Sequence, residues 1–223
     1  MLSQTVYDLN SSPTRKFVSF SSPESNYPSD TSQSVHYISD SRITSDQNPY
    51  KIIDIAHIVS DTHNPKIKGR LSLSISPGKK DKRWNRDLNT DLESIKHNGI
   101  QIIVCLLEWG EMKMLNIENY PLKAQEQGFL FYHLPVKDMC APTLKELSSL
   151  VPILVQHLVS GQNILIHCRG GLGRAGTLCA CCLTHFGYNC QSAIDTVRSR
   201  RPGAIQNKKQ ETCISQYCYC LPK

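Results

Sequence analysis

Residues 163–186 read NILIHCRGGLGRAGTLCACCLTHF, which is a short apolar run, a turn with glycines at 170, 171 and 173, and a longer apolar stretch. A continuous apolar run of this length is that of a strand buried on both faces. The stretch after the turn has the length and apolarity of a buried helix. A buried strand that feeds through glycines directly into a buried helix is one strand–helix unit, and the fold class follows from how the rest of the chain continues it.

The rest of the chain repeats that alternation. KIIDIAHI (51–58) and LSLSI (71–75) read as strands. In RDLNTDLESIKHNG the apolar residues Leu88, Leu92 and Ile95 recur at the spacing of one helical face, and Gly99 closes the segment. IQIIVCLL (100–107) and GFLFYHLP (128–135) supply two more strands. Thr143-Leu-Lys-Glu146 is a capping box, in which each side chain satisfies the other residue's backbone N–H. The helix it opens runs towards Gly161, with a kink or a restart expected at Pro152. Further helices are expected from Gln191 to Arg200 and beyond the Arg201-Pro202-Gly203 break. Strands and helices in this order predict a mostly parallel central sheet flanked by helices.

The first 48 residues differ in kind. They contain thirteen serines and little apolar periodicity. Such a composition buries too little surface to offset chain entropy, so this segment is expected to be disordered, with the folded part spanning about 49–223. The Ser12-Pro13 and Ser22-Pro23 dipeptides within it are candidate phosphorylation sites. No apolar run approaches the roughly 20 residues of a membrane span, and the N-terminus lacks a basic start followed by an apolar core. The ten cysteines do not suggest a disulfide scaffold, because such scaffolds are small secreted domains without a sufficient core. Cys179, Cys181, Cys182, Cys213, Cys218 and Cys220 lack the paired C-x-x-C spacing of zinc knuckles and read as core or surface thiols. On these features the chain is expected inside the cell, in cytoplasm or nucleus. The formal net charge of +6 suits an anionic partner without identifying it.

The chemistry concentrates in H-C-R-G-G-L-G-R, His167 to Arg174. Glycines allow backbone N–H groups to turn inward, and the following helix adds its unpaired N–H groups and the positive end of its dipole. Such a loop cradles a phosphate dianion, and the expected cradle is Arg169, Gly170, Gly171, Leu172, Gly173 and Arg174. Cys168 opens the loop and Arg174 closes it, so both can face a phosphorus atom held between them. A thiol at a cationic helix terminus is shifted towards the nucleophilic thiolate. Arg174 offers two donors to two phosphate oxygens with a permanent charge, which a lysine would not reproduce. The nucleotide-binding pattern G-x-x-x-x-G-K-[ST] is absent from the sequence.

This signature resembles that of the protein-tyrosine and dual-specificity phosphatases. PGKKDKRWNRDLNTDLESIKHNGIQIIVCLLEWGEM, LPVKDMCAP, HCRGGLGRAG and RRPGAIQNKKQE further resemble the kinase-associated phosphatases, dual-specificity enzymes that act on cyclin-dependent kinases; the resemblance covers about residues 50–221. It implies the fold of those phosphatases over residues 49–223. It also implies hydrolysis of phosphotyrosine, and of phosphoserine or phosphothreonine, through a cysteinyl-phosphate, with no metal or cofactor. The substrate implied is a phosphorylated protein, a cyclin-dependent kinase among the candidates, rather than a nucleic acid or a membrane.

The resemblance assigns the general acid to Asp138, placing a proton donor at the leaving oxygen. Gln206 and Gln210 resemble residues that orient the hydrolytic water, and His167 resembles the histidine that supports the loop. Glu108 or Glu111 is expected to brace Arg174. Many members carry Ser or Thr after the signature arginine; here that position is Ala175, with Thr177 two residues later. The departure keeps open a pseudophosphatase that binds phosphorylated partners without turnover. Cys105 resembles the residue that forms a reversible disulfide with the nucleophile in related phosphatases, with Cys140 as a competitor.

Overall fold

A computed structural model describes residues 17–19, 53–60, 64–81 and 83–221. The strands are β1 (Phe17–Ser19), β2 (Ile55–Val59), β3 (Leu71–Ser74), β4 (Lys80–Asp81), β5 (Trp84–Asn85), β6 (Ile102–Cys105), β7 (Leu130–His133) and β8 (Ile164–His167). The helices are α1 (Leu88–His97), α2 (Trp109–Met114), α3 (Tyr120–Glu126), α4 (Leu144–Val159), α5 (Gly173–Thr184), α6 (Cys190–Arg200) and α7 (Lys208–Cys220). The order in the main sheet is β1-β7-β6-β8-β3-β2. Among the described residues, only the β2–β3 pair is antiparallel within it. The chain therefore has the expected α/β architecture with a mostly parallel sheet. Strand β1 comes from the Ser-rich segment; the rest of that segment, both Ser-Pro dipeptides, and Lys51 and Ile52 of the KIIDIAHI run lie outside the described residues.

Alternation along the central strands explains why the sheet is covered twice. Ile102, Val104 and Leu106 belong to one hydrophobic core, and Ile103, Cys105 and Leu107 to the other. Successive strand side chains point to opposite faces, so a continuously apolar strand needs helices on both. Helix α5 carries the first core, and every one of its residues is buried. Cys179, Cys181 and Cys182 lie there as packed thiols. Leu88, Leu92 and Ile95 of α1 are buried in the second core with Met112 of α2 and Tyr120 of α3.

Helix ends follow their sequence signals. The Asp87 side chain accepts from the Thr90 N–H at 2.9 Å, and α1 ends before Gly99 at φ +70°. At α4, Thr143 Oγ1 accepts from the Glu146 N–H, and the Thr143 N–H donates to Glu146 Oε2 at 2.7 Å. Of the two outcomes expected at Pro152, the restart is corrected: α4 is one helix through Val159. Pro152 is exposed while Val151 and Leu154 beside it are buried, so the packed face continues past the missing backbone donor. No helix among the described residues is long and apolar enough to cross a membrane.

Parallel pairing brings strand ends together. Ser74 and Cys105 are both register partners of His167, so the chain leaves β3, β6 and β8 at one edge of the sheet. In open α/β sheets, ligands bind outside that carboxyl edge.

Candidate active site

The residues after β8 form a loop packed against the end of β3. The Ser76 N–H donates to the Arg169 carbonyl at 3.4 Å, and the Ile205 N–H to the Leu172 carbonyl at 3.3 Å. Gly171 has φ +66°, and a Cβ there would stand 2.0 Å from the Ser74 carbonyl oxygen. A Cβ on Gly173 would meet Gln206 Oε1 at 2.5 Å. At Gly173 the clash is with the ends of the Gln206 and Gln210 side chains, which can shift, whereas at Gly171 it is with backbone; Gly171 is sterically required. Gly170 is not, since a Cβ on it meets nothing within 4 Å. Among the described residues, the backbone N–H groups from Arg169 to Ala175 donate to no protein acceptor, and the first internal bond of α5 is Gly176 N–H to the Leu172 carbonyl. A run of unpaired amides at a helix start is an anion site by construction.

Cys168 opens this loop and is only 3% exposed. The preceding His167 is buried, with Nε2 3.0 Å from Tyr120 Oη and Nδ1 3.4 Å from the Cys168 carbonyl. Burial pulls the His167 pKa down to about 3, so the ring is neutral at physiological pH. A neutral ring donating from Nδ1 and accepting the tyrosine hydroxyl at Nε2 satisfies both contacts.

Arg174, in the first turn of α5, is buried and clamped. Its Nη1 donates to Glu111 Oε2 at 2.6 Å and its Nη2 to Glu111 Oε1 at 2.9 Å. Nη1 also donates to the Val136 carbonyl at 2.8 Å. Burial works against the charge, but the Glu111 carboxylate together with Cys168 and Asp138 nearby outweighs it and holds the guanidinium pKa above its ordinary value. Of the two glutamates weighed from sequence, Glu111 makes the brace, and the Glu108 N–H donates to Glu111 Oε2 at 3.0 Å. Asp138 reaches the same arginine, with Oδ1 3.0 Å from Nη2, while its own side chain is 56% exposed.

The Asp138 loop is tied to the start of α7. Asn207 Nδ2 donates to the Met139 carbonyl at 3.0 Å, Gln210 Nε2 to the Cys140 carbonyl at 3.2 Å, and Cys213 Sγ to the Pro142 carbonyl at 3.3 Å. Gln210 is buried, and its Oε1 accepts the Gln206 N–H at 2.7 Å. Both ends of that amide are thus engaged with protein, which gives Gln210 a supporting place between the two loops. Gln206 is exposed, with its Oε1 beside Gly173.

Two other expected residues lie elsewhere in the site. Thr177 is buried, and its hydroxyl donates to the Gly173 carbonyl at 2.9 Å, one turn back in its own helix. Cys105 sits across from His167 in the neighbouring strand, and complete burial pushes its thiol pKa up. Sequence reasoning missed Tyr120 behind His167 and the Val136 carbonyl on Arg174. It also missed Lys79 and Asp81, whose loop lies against Arg169. A signal existed for the last pair, because PGKKDKRW places charges directly after a buried strand.

Comparison with known proteins agrees with this fold. A family model described as "Polymorphic toxin system, DSP-PTPase phosphatase" matches residues 78–188. Rat cyclin-dependent kinase inhibitor 3 is 32% identical over 150 residues, covering 66% of this chain and 71% of that protein. Mouse protein tyrosine phosphatase type IVA 3 is 30% identical over 135 residues, covering 60% of this chain and 73% of that protein. The crystal structure of a kinase-associated phosphatase with its catalytic-site cysteine replaced by serine superimposes with a TM-score of 0.70 at 29% identity, covering 75% of this chain and 94% of that one. Identity of this degree over most of a relative's length carries the family with it: the chain belongs to the protein-tyrosine and dual-specificity phosphatases, and its activity is that of a protein phosphatase.

Proposed function

We propose that the protein hydrolyses phosphotyrosine, and with it phosphoserine or phosphothreonine, in phosphoproteins through a cysteinyl-phosphate on Cys168. The observation that carries this reading is Arg174, buried and clamped by Glu111 at the end of a loop of unpaired amides that begins at Cys168. The Cys168 thiolate attacks phosphorus as the ester bond breaks. Asp138 delivers a proton to the leaving oxygen, and its carboxylate then takes one from the water that attacks the cysteinyl-phosphate. Gln206 orients that water, while Gln210 and His167 hold the loops around it. The loop amides and Arg174 stabilise charge on the equatorial oxygens, which is the larger part of catalysis for a reaction this slow without help.

Asp138 and a phosphate dianion draw on the same guanidinium nitrogen. Substrate entry therefore loosens Asp138 from Arg174 and leaves its carboxyl near the leaving group. The name of the rat relative makes a phosphorylated cyclin-dependent kinase the protein substrate to try first.

A second reading, a binding module that holds phosphorylated partners without turnover, is supported by one feature. Ala175 supplies no hydroxyl beside the loop, and the Thr177 hydroxyl is spent inside its helix. Hydrolysis of para-nitrophenyl phosphate and a phosphotyrosine peptide, without added metal, separates the two. The enzyme reading predicts turnover by wild type and none by Cys168→Ser. Peptide binding with at most one equivalent of product released would favour the module.

A further inference from the structure

The segment after β3 runs alongside the phosphate loop, joined to it by the Ser76 N–H on the Arg169 carbonyl. It is anchored from behind by a buried ion pair: Arg86 donates from Nε and Nη2 to Asp91, whose Oδ2 accepts the Gly78 N–H at 2.8 Å. The Arg86 N–H also holds the Lys79 carbonyl at 3.0 Å. On this fixed segment, Lys79 Nζ lies 3.5 Å from Asp81 Oδ2 and 5.1 Å from the centroid of the Trp84 ring. Arg169 Nη2 lies 3.5 Å from the same oxygen.

One carboxylate thus serves two cations, and both contacts are long. The pairs Arg174–Glu111 and Arg86–Asp91 close to 2.6 Å in this protein, just below the roughly 2.7–2.9 Å usual for charge-assisted bonds. Asp81 is further committed through Oδ1, which accepts the Arg83 N–H at 3.0 Å. The group of Lys79, Arg169 and Asp81 therefore keeps an excess positive charge. Lys79 is nearly buried, whereas the Arg169 side chain is 40% exposed. Burial lowers the Lys79 pKa, partly offset by Asp81, and the Arg169 charge lowers it further. An additional anion would relieve both effects.

We propose that Arg169 and Lys79 form a second anion subsite beside the phosphate loop, which takes a negative group lying within two residues of the scissile phosphate in a phosphoprotein substrate. Arg169 makes the direct contact as its long bond to Asp81 yields. Lys79 adds attraction from below, through protein rather than water, where charges are screened less. The subsite rests on the phosphatase reading above. It makes Lys79, Asp81 and Arg169 specificity residues for that reaction.

The test is a panel of phosphotyrosine peptides carrying Ala, Glu or phosphoserine at each position from two before to two after the phosphotyrosine. For wild type, kcat/KM is expected to rise about tenfold from Ala to phosphoserine at one position at least, equivalent to about 1.4 kcal/mol. Glu should gain less, and added salt should shrink the preference. Lys79→Met should cut the preference several-fold, while Asp81→Asn, which removes the internal competitor, should increase it. These opposite signs distinguish a subsite from a loss of folding. A wild type that hydrolyses para-nitrophenyl phosphate but ignores charge at every position overturns the subsite, as do variants that change all peptides equally. A preference for a soluble phosphoinositide headgroup with a flat peptide panel also overturns it. Failure on para-nitrophenyl phosphate would instead overturn the phosphatase reading itself.

Discussion

Glu111→Gln isolates the clamp on Arg174 with almost no change in shape. In the native site the carboxylate accepts from both terminal nitrogens, at 2.6 and 2.9 Å, in a buried setting. The amide keeps one acceptor oxygen and turns an NH2 towards a guanidinium N–H. The variant loses one charge-assisted hydrogen bond, worth about 1.5–3 kcal/mol, and places two donors face to face without water. The Val136 carbonyl and Asp138 still hold the guanidinium, so the arginine is misaligned rather than released. We expect a stability loss of about 2–4 kcal/mol, within the roughly 5–15 kcal/mol of an ordinary domain, so the variant should remain folded. A catalytic group displaced by about 1 Å can cost about a hundredfold in rate. Steady-state kinetics on para-nitrophenyl phosphate, beside urea unfolding, should therefore show kcat reduced about a hundredfold with a smaller change in KM. A folded Glu111→Gln protein with wild-type kcat would refute the inference that Glu111 positions Arg174.

Other consequences can be checked as directly. Gly171→Ala puts a Cβ 2.0 Å from the Ser74 carbonyl at a φ of +66°, so it should abolish measurable turnover and lower the unfolding midpoint while leaving the far-ultraviolet circular dichroism spectrum folded. Gly170→Ala, with open space around its Cβ, should be milder by at least tenfold in kcat/KM. His167 is neutral in the folded protein with a pKa near 3, against about 6.5 when unfolded, so the unfolded chain binds the extra proton as pH falls. Its share of stability is complete above pH 6.5 and is lost towards pH 3, amounting to about 2 kcal/mol at pH 5. Urea unfolding at pH 7 and pH 5 should show that loss, and His167→Asn should flatten the slope; an unchanged slope would contradict a buried neutral ring.

Much of this was legible in the sequence because a few residues decided it locally. The uninterrupted IQIIVCLL and NILIH runs required coverage on both faces, and the structure divides each between two cores. Thr143 and Glu146 marked a helix start that is closed by their own side chains. The His167–Arg174 stretch announced a phosphate loop without its surroundings. Helices α2 and α3 were not legible: they are six and seven residues long, too short for a clear apolar period, and Pro121 stands in the first turn of α3. With α2 unseen, nothing separated Glu108 from Glu111, since the choice depends on which residue its first turn directs at Arg174. The restart considered at Pro152 does not occur, as packing of Val151 and Leu154 outweighs one lost backbone bond. Lys79 and Asp81 follow β3 and Tyr120 opens α3, all distant in sequence from the loop, so only the packing of these elements beside β8 brings them to it.

The proposed mechanism turns on a covalent intermediate at Cys168. Acid-quenching a reaction with a phosphotyrosine peptide within the first turnovers, followed by peptide mass spectrometry, examines it directly. One phosphoryl group is expected on the peptide containing Cys168, and none in Cys168→Ser. Turnover by Cys168→Ser at the wild-type rate, or a phosphoryl group on another residue, would contradict it.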